Sequence, residues 1–244
     1  MRPVDRPQSL TEIVRDQIRN SIVAGDFDLG SPLSERQLSV SLNVSKTPVR
    51  EALAQLRLEG LVHIFPQRGA FVFTLSAREV MDLCELRLTL EAAAMRLAFE
   101  RNPKGLVEGL AGVTRRMEKA RAAGDMRDYL AADTSYHQVL FDACGNPLIA
   151  GAYGMHNGKI SALRNHLAAK PQHTDLSFAE HVEMLGLLRE QRIGEALGVL
   201  NRHIERTKAT YAMWIEDIAA ADLQAGGAQA LSAALSTPRG AGKP

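Results

Sequence analysis

The sequence predicts a mostly α-helical protein: an N-terminal head of three helices and a small β-wing, followed by a C-terminal six-helix antiparallel bundle. Residues 31–72 are typical of a helix, a tight turn, a second helix and two short strands. After Phe73 no strand pattern recurs, and segments with apolar residues at helical spacing are separated by Gly, Asn and Pro. Six such helices are too many to pack along the single contact line of a coiled coil, so we predict a helix bundle with its own core.

Local signals predict the helices of the head. Ser9 with Glu12 has the spacing of a capping box, and Asn43 stands where a turn needs a residue that tolerates positive φ. Ser45 can cap the second helix of the pair, and Pro48 falls in its first turn, where a missing N–H costs little. The buried stripe of that helix recurs at i, i+3, i+4 and i+7 and consists of Val49, Ala52, Leu53 and Leu56.

Two short strands follow this helix. Gly60 ends the helix, and apolar residues flank a turn at residues 66–69. Helix, turn, helix and hairpin in this order predict a winged helix-turn-helix, whose second helix can enter the major groove of DNA. The outward face of that helix agrees, because it carries Lys46, Thr47, Arg50, Gln55 and Arg57.

The stretch LSERQLSVSLNVSKTPVREALAQLRLEGLV resembles the DNA-binding module of the GntR family of bacterial transcription regulators, and the resemblance covers residues 9–73. It implies DNA contacts at Arg36, Lys46, Thr47, Arg50 and Gly69, with Ser45 as a phosphate contact. Gln67 and Arg68 join this set because they lie at the tip of the wing. The net charge of this region does not itself indicate DNA binding, since residues 1–75 carry nine Arg and Lys against eight Asp and Glu.

Composition excludes several classes of protein. The 244 residues carry a formal net charge of +1, which argues against a protein that coats polyanions. The N-terminus lacks the apolar run of a signal peptide, and no stretch reaches about 18 apolar residues, so we expect a cytoplasmic protein without a membrane span. Cys84 and Cys144 have no metal-binding or redox spacing, and we expect both to be buried free thiols.

The predicted organisation has four parts. They are a flexible arm at 1–8, a winged helix-turn-helix DNA-binding domain at 9–74, an all-α effector-binding domain at 76–220 and a disordered tail at 221–244. A second capping box, Ser76 with Glu79, begins the bundle. Its six helices are predicted at about 77–101, 104–122, 125–143, 148–169, 176–190 and 193–219.

Four ionisable residues of the predicted bundle fit a metal site. Asp133 and His137 are four residues apart and therefore share one face of the third bundle helix, while His181 and His203 lie on the fifth and sixth. Three imidazoles and a carboxylate on facing helices would form a site for zinc, nickel or a similar divalent ion. From the spacing alone, histidines that are only hydrogen-bonded in the core remain an alternative.

The surrounding segments DTSYHQVLFDACGNPLI, EHVEMLGLL and NRHIERT resemble the FCD effector domain of the FadR-type GntR subfamily, over residues 76–218. One mild departure is Tyr136, where Phe is commoner. In that domain an Asp and three His hold a divalent metal, which implies Asp133, His137, His181 and His203 as ligands. Zinc or nickel is the ion that these ligand types favour.

A small carboxylate effector is expected beside the metal. The segment CELRLTLEAAAMRLA resembles the subfamily's first effector-domain helix, whose arginine often points into the ligand cavity, and this implies Arg87. Arg164 and Asn157 are further candidates by their positions. The alternatives are that Arg87 pairs with Glu91 on the surface, and that Arg164 lies on a solvated helix face.

The sequence therefore predicts a DNA-binding transcription regulator, a repressor by family habit, whose binding to double-stranded operator DNA is changed by a small organic acid. A homodimer is expected, because two recognition helices and two wings must meet two half-sites. One alternative is a regulator for which the ion itself is the signal. A metal-dependent hydrolase is disfavoured, because no motif places a general base near the four ligands, and we expect no enzyme activity.

Overall fold

The computed structural model describes residues 8–167 and 171–213. The arm predicted at 1–8, apart from its last residue, and the tail predicted at 221–244 lie outside these residues. Within them the chain forms a head with a three-stranded sheet, one strand more than predicted, and then the six predicted bundle helices. None of the described helices is long and apolar enough to cross a membrane.

The head contains three helices and a small antiparallel sheet. The helices are α1 Leu10–Ala24, α2 Glu35–Ser41 and α3 Lys46–Leu58, and the strands are β1 Pro32–Leu33, β2 Val62–Phe65 and β3 Gly69–Val72. The sheet order is β1-β3-β2, and the hairpin pairs Val62 with Val72 and Phe65 with Gly69. The hairpin was predicted, whereas β1 was missed because two residues cannot show an alternating pattern.

Backbone conformation confirms the predicted turns. Asn43 has a φ of 51°, and Gly60 has a φ of 72° directly after the last residue of α3 and its cap. Ser9 and Ser76 form the predicted capping boxes. Ser45 stands at the N-cap of α3, but its side chain makes no capping hydrogen bond. Its exposed hydroxyl therefore faces solvent at the end of the helix that is predicted to meet DNA.

The bundle consists of α4 Ala77–Arg101, α5 Pro103–Ala122, α6 Met126–Ala143, α7 Pro147–Leu167, α8 Pro171–Arg189 and a last helix α9, which is described over 193–213. Helix α8 begins five residues earlier than the predicted residue 176. The prediction placed Pro171 in a loop, but proline is tolerated at the first helical position, where its missing N–H has no partner to lose. Cys84 and Cys144 are buried free thiols, as expected.

Helix α7 packs against both parts of the molecule. Its Ala162 is fully buried in the hydrophobic core of the head. Asn165 donates a hydrogen bond from its side-chain amide to the backbone carbonyl of Val23 in α1. A side-chain carbon added at Gly158 would lie 3.0 Å from Leu61, so this glycine lets α7 approach the head closely.

Candidate metal centre and DNA-contacting face

Three of the predicted metal ligands converge in the middle of the bundle. His137 on α6, His181 on α8 and His203 on α9 each offer a ring nitrogen, and these nitrogens all lie within 4.8 Å of one another. All three side chains are buried. The packing of α6, α8 and α9 brings together the helix faces that carry these three histidines.

Asp133 lies one helical turn before His137 and adjoins the cluster. Its Oδ1 atom is 3.7 Å from Nδ1 of His181, and its Oδ2 atom is 3.5 Å from Nε of Arg164. Burial by itself would raise the pKa of Asp133, but the Arg164 guanidinium and then His181 lower it below its usual value. The carboxylate is therefore ionised and beside the imidazoles, although the mutually close ligand atoms found among the described residues are those of the three histidines.

Two glutamates that the sequence analysis did not propose bind the histidine rings. Glu91 Oε2 lies 2.8 Å from Nδ1 of His137, and Glu180 Oε2 lies 2.8 Å from Nδ1 of His203. An ionised carboxylate only accepts hydrogen bonds, so in both pairs Nδ1 carries the proton and donates it. The Nε2 atom of each ring then presents a lone pair, and Nη2 of Arg87 lies 3.0 Å from that of His137 and 3.4 Å from that of His203.

His181 is held differently. Neither of its ring nitrogens has a hydrogen-bond partner, although the side chain is fully buried. Its ring stacks on Tyr136 with centroids 4.1 Å apart, and the Tyr136 hydroxyl donates to the His181 backbone carbonyl. A buried polar atom without a partner costs free energy, and a metal ion would satisfy one of these nitrogens. The residues present therefore fit a bound divalent ion.

Burial keeps the histidines in the form that binds metal. It lowers the pKa of His137, with Arg87 adding to the effect, and lowers the pKa of His203. It lowers the pKa of His181 to about 3, with the neighbouring His203 as the next cause. All three imidazoles are therefore neutral near pH 7, and the neutral imidazole is the ligand form.

Arg87 is buried inside this site and does not lie on the surface. It does pair with Glu91, through Nε and Oε1 at 2.7 Å, which is the pairing that the surface alternative assumed. Its Nη2 lies 3.0 Å from Nε2 of His137 and 3.4 Å from Nε2 of His203. Nη1 has no hydrogen-bond partner. The arginine thus faces the metal ligands with one unused N–H group.

Arg164 is also buried, which excludes the solvated-face alternative. Its Nη2 donates to Ser161 Oγ at 3.0 Å and to Thr134 Oγ1 at 3.3 Å, while Nε and Nη1 make no hydrogen bond. Asn157 is half-buried one turn away, where its Oδ1 accepts from Ser161 Oγ. The structure therefore links Arg164 and Asn157 through one serine.

A small cavity of about 20 Å³ opens beside the cluster, between α6, α7, α8 and α9. Its walls include Asp133, Arg164 and His203, together with His173 and the unpartnered hydroxyl of Thr174. Arg87 and Asn157 are not among its lining residues. His173 lies on α8, and its Nδ1 is 2.9 Å from Nη1 of Arg206.

The predicted DNA-contacting residues form an exposed face of the head. All eight are exposed, namely Arg36, Ser45, Lys46, Thr47, Arg50, Gln67, Arg68 and Gly69. Arg50 pairs with Glu35 through Nη2 and Oε2 at 2.9 Å. At the wing tip the Arg68 guanidinium lies over the rings of Phe65 and Phe71, with centroid distances of 5.7 and 5.9 Å. Cations on α3 and on the wing therefore point outward from the same small domain.

Comparison with known proteins assigns both parts of the chain. Residues 10–72 match the family described as bacterial regulatory proteins, gntR family, and residues 82–206 match the FCD domain. HTH-type transcriptional repressors NanR from Klebsiella aerogenes and Cronobacter sakazakii are 27% and 28% identical to this chain, and each alignment covers 86% of it and 88% of the relative.

Solved structures agree on the fold. A transcriptional regulator GntR from Rhodococcus sp. RHA1 has a TM-score of 0.75 at 22% identity, covering 84% of this chain and 98% of that one. E. coli McbR/YncC has a TM-score of 0.74 at 19% identity, covering 85% of this chain and 99% of that one. The chain therefore belongs to the GntR family of bacterial regulatory proteins, among the members with an FCD domain, and is a DNA-binding transcription regulator and not an enzyme.

Proposed function

We propose that this protein is a transcription repressor whose affinity for operator DNA is changed by a small organic acid bound at a divalent metal ion in the bundle. One observation carries the proposal. Three neutral, buried imidazoles gather around one point with an ionised carboxylate beside them, and two buried arginines nearby have N–H groups without hydrogen-bond partners.

Asp133, His137, His181 and His203 are the residues that would hold the ion. Three nitrogen ligands and one oxygen suit zinc or nickel, and the ligand types alone do not choose between the two. The unpartnered ring nitrogens of His181 support this assignment, because a hydrogen-bonded structural histidine would not leave both nitrogens unused. When bound, the ion would supply a positive charge and a coordination position for an anionic ligand.

The arginines give the site its preference for a carboxylate. Nη1 of Arg87 and Nη1 of Arg164 have no hydrogen-bond partner in the protein interior, and Nε of Arg164 has only its 3.5 Å ion pair with Asp133. Buried N–H donors without acceptors are unfavourable, and a carboxylate is the acceptor that guanidinium groups bind most strongly. Arg164 also lines the cavity, so an acid there would contact it directly.

The acid regulates only if it binds one arrangement of the head and bundle better than another. Each protomer presents one recognition helix and one wing, so we propose a homodimer that meets two half-sites of a pseudo-palindromic operator. The repressor assignment rests on relatives that are named as transcriptional repressors.

The test begins with operator DNA selected from a random-sequence pool. Its affinity is then measured by mobility shift for zinc-loaded protein, alone and with each member of a panel of di- and hydroxycarboxylic acids. We expect one acid class to change the affinity at least fivefold, and we expect His181→Ala to abolish that change. His156→Ala, a half-buried histidine on α7, is the matched control and should behave like wild type.

A second function is favoured by the same cluster, since the ion alone could be the signal. In that case zinc and chelator would switch operator binding, and no acid would change it further. Protein that binds no zinc at micromolar concentrations, with full operator affinity, would refute both versions.

A further inference from the structure

We infer that Glu91 and Glu180 are positioning residues of the metal centre, which fix His137 and His203 in the ring orientation and tautomer that metal binding requires. The inference rests on the proposed metal site. Neither glutamate is a ligand in that site, and each lies on an element that its histidine does not share: Glu91 on α4 and Glu180 on α8.

Glu91 links an arginine to a histidine in the core. Its Oε1 accepts from Nε of Arg87 at 2.7 Å, and its Oε2 accepts from Nδ1 of His137 at 2.8 Å. All three side chains are buried, so water does not compete for these bonds. Each oxygen of the Glu91 carboxylate therefore accepts one hydrogen bond, and the one from Nδ1 fixes the orientation of the His137 ring.

Glu180 does the same on the other side of the cluster. Its Oε2 accepts from Nδ1 of His203 at 2.8 Å, and Arg206 donates to both carboxylate oxygens, at 3.1 Å from Nε to Oε1 and 2.6 Å from Nη2 to Oε2. The two arrangements have the same order: an arginine holds a glutamate, and the glutamate holds Nδ1 of a metal-site histidine.

The position of Arg87 agrees with this tautomer. Its Nη2 is nearer to Nε2 of His137, at 3.0 Å, than to Nδ1 of that ring, at 3.4 Å, and it lies 3.4 Å from Nε2 of His203. Guanidinium groups only donate, so both Nε2 atoms present lone pairs toward the centre of the cluster. A carboxylate on Nδ1–H orients a ligating imidazole and raises its basicity, and losing such a partner weakens metal binding by about 10- to 100-fold.

His181 marks the contrast, because no carboxylate accepts a hydrogen bond from its ring. Stacking on Tyr136 holds it instead. The centre thus has two histidines oriented by hydrogen bonds and one oriented by packing. A merely structural role for the glutamates would lower the stability of the fold but leave the zinc affinity of the folded protein unchanged.

Glu180→Gln is the deciding variant, because Gln preserves the size of the side chain while replacing the carboxylate with a neutral amide. Glu183→Gln is its matched control: it lies three residues later on the same helix, and its pairing with Arg202 is on the surface. Zinc affinity is measured by competition with a chromophoric chelator, on protein whose folded state is verified by circular dichroism. Cobalt is the second probe, because its absorption bands report ligand geometry.

We expect Glu180→Gln and Glu91→Gln to weaken zinc binding by about 10- to 100-fold and to shift the cobalt bands, with Glu183→Gln within about twofold of wild type. If Glu91→Gln does not fold, Glu180→Gln decides alone. Zinc affinity within twofold of wild type in Glu180→Gln, while His181→Ala loses zinc, would overturn the inference and leave the metal site standing. Wild-type protein that fails to bind zinc would instead refute the proposed site itself.

Discussion

Replacing His181 with phenylalanine separates the metal-binding role of this residue from its role in the fold. The ring of His181 is buried and stacked on Tyr136, and neither nitrogen has a hydrogen-bond partner. Phenylalanine keeps an aromatic ring in that place and removes both polar atoms. The variant should therefore lose the metal without losing the contacts that hold α6 against α8.

The magnitude follows from two opposing terms. Removing a buried, unpaired polar group gains about 1–3 kcal/mol, and the larger six-membered ring costs about 1–3 kcal/mol in a packed core. In chelator, the free energy of unfolding of His181→Phe should thus stay within about 2 kcal/mol of wild type. Zinc at 100 times its dissociation constant should add about 2.7 kcal/mol to wild type, which is roughly 5–11 °C in Tm for a chain of this size, and nothing to the variant.

Urea unfolding followed by circular dichroism, with EDTA or with zinc, measures both quantities, and thermal scans give the Tm shift. His156→Phe on α7 serves as the control and should retain the full zinc effect. A His181→Phe protein that is still stabilised by zinc would show that His181 is not a ligand. A loss of more than about 4 kcal/mol in EDTA would show that its ring nitrogens are satisfied by the protein after all.

Three further outcomes test other parts of the molecule. Arg50→Ala should weaken operator binding by roughly 5- to 150-fold in a mobility shift if this exposed side chain contacts a base. Burial and then the Arg206 guanidinium lower the pKa of His173 from 6.5 to about 4. As the pH falls from 6.5 to 4, the unfolded chain takes up the proton before the folded protein does, so the free energy of unfolding falls. Urea titrations from pH 7 to pH 4 should show a smaller fall for His173→Gln than for wild type. Gly60→Ala should cost about 1–2 kcal/mol of stability because its φ is positive, whereas Gly151→Ala in α7, with no atom near the added carbon, should gain up to about 1 kcal/mol.

Elements that depend on local signals were predictable from the sequence. Ser9 and Ser76 each form a capping box with the glutamate three residues later, and Asn43 has the positive φ that its turn requires. Short-range rules were enough for these positions, because the interacting atoms are within one turn of each other. Strand β1 was not predicted, because a strand of two residues shows no alternating pattern. The start of α8 at Pro171 was not predicted either, because proline is common both in loops and at the first position of a helix.

The site was predictable only in part. Helical spacing put His137 on an inward face, but nothing near it in the sequence pointed to Glu91, which lies 46 residues away. Glu180 neighbours His181 in the sequence, yet its carboxylate accepts a hydrogen bond from His203 on another helix. Such partners depend on the angles and heights at which helices pack, which one sequence does not specify.

Helix α7 makes the boundary between head and bundle mechanically stiff. Ala162 belongs to the head core, Asn165 is tied to α1, and Arg164 between them reaches the cavity on the adjacent side of the same helix. Leu29 and Leu75 pack against both cores as well. Any rotation of α7 therefore moves its contacts with the head and with the bundle together. Because both cores share this helix, the head and the bundle should unfold in a single cooperative transition instead of two.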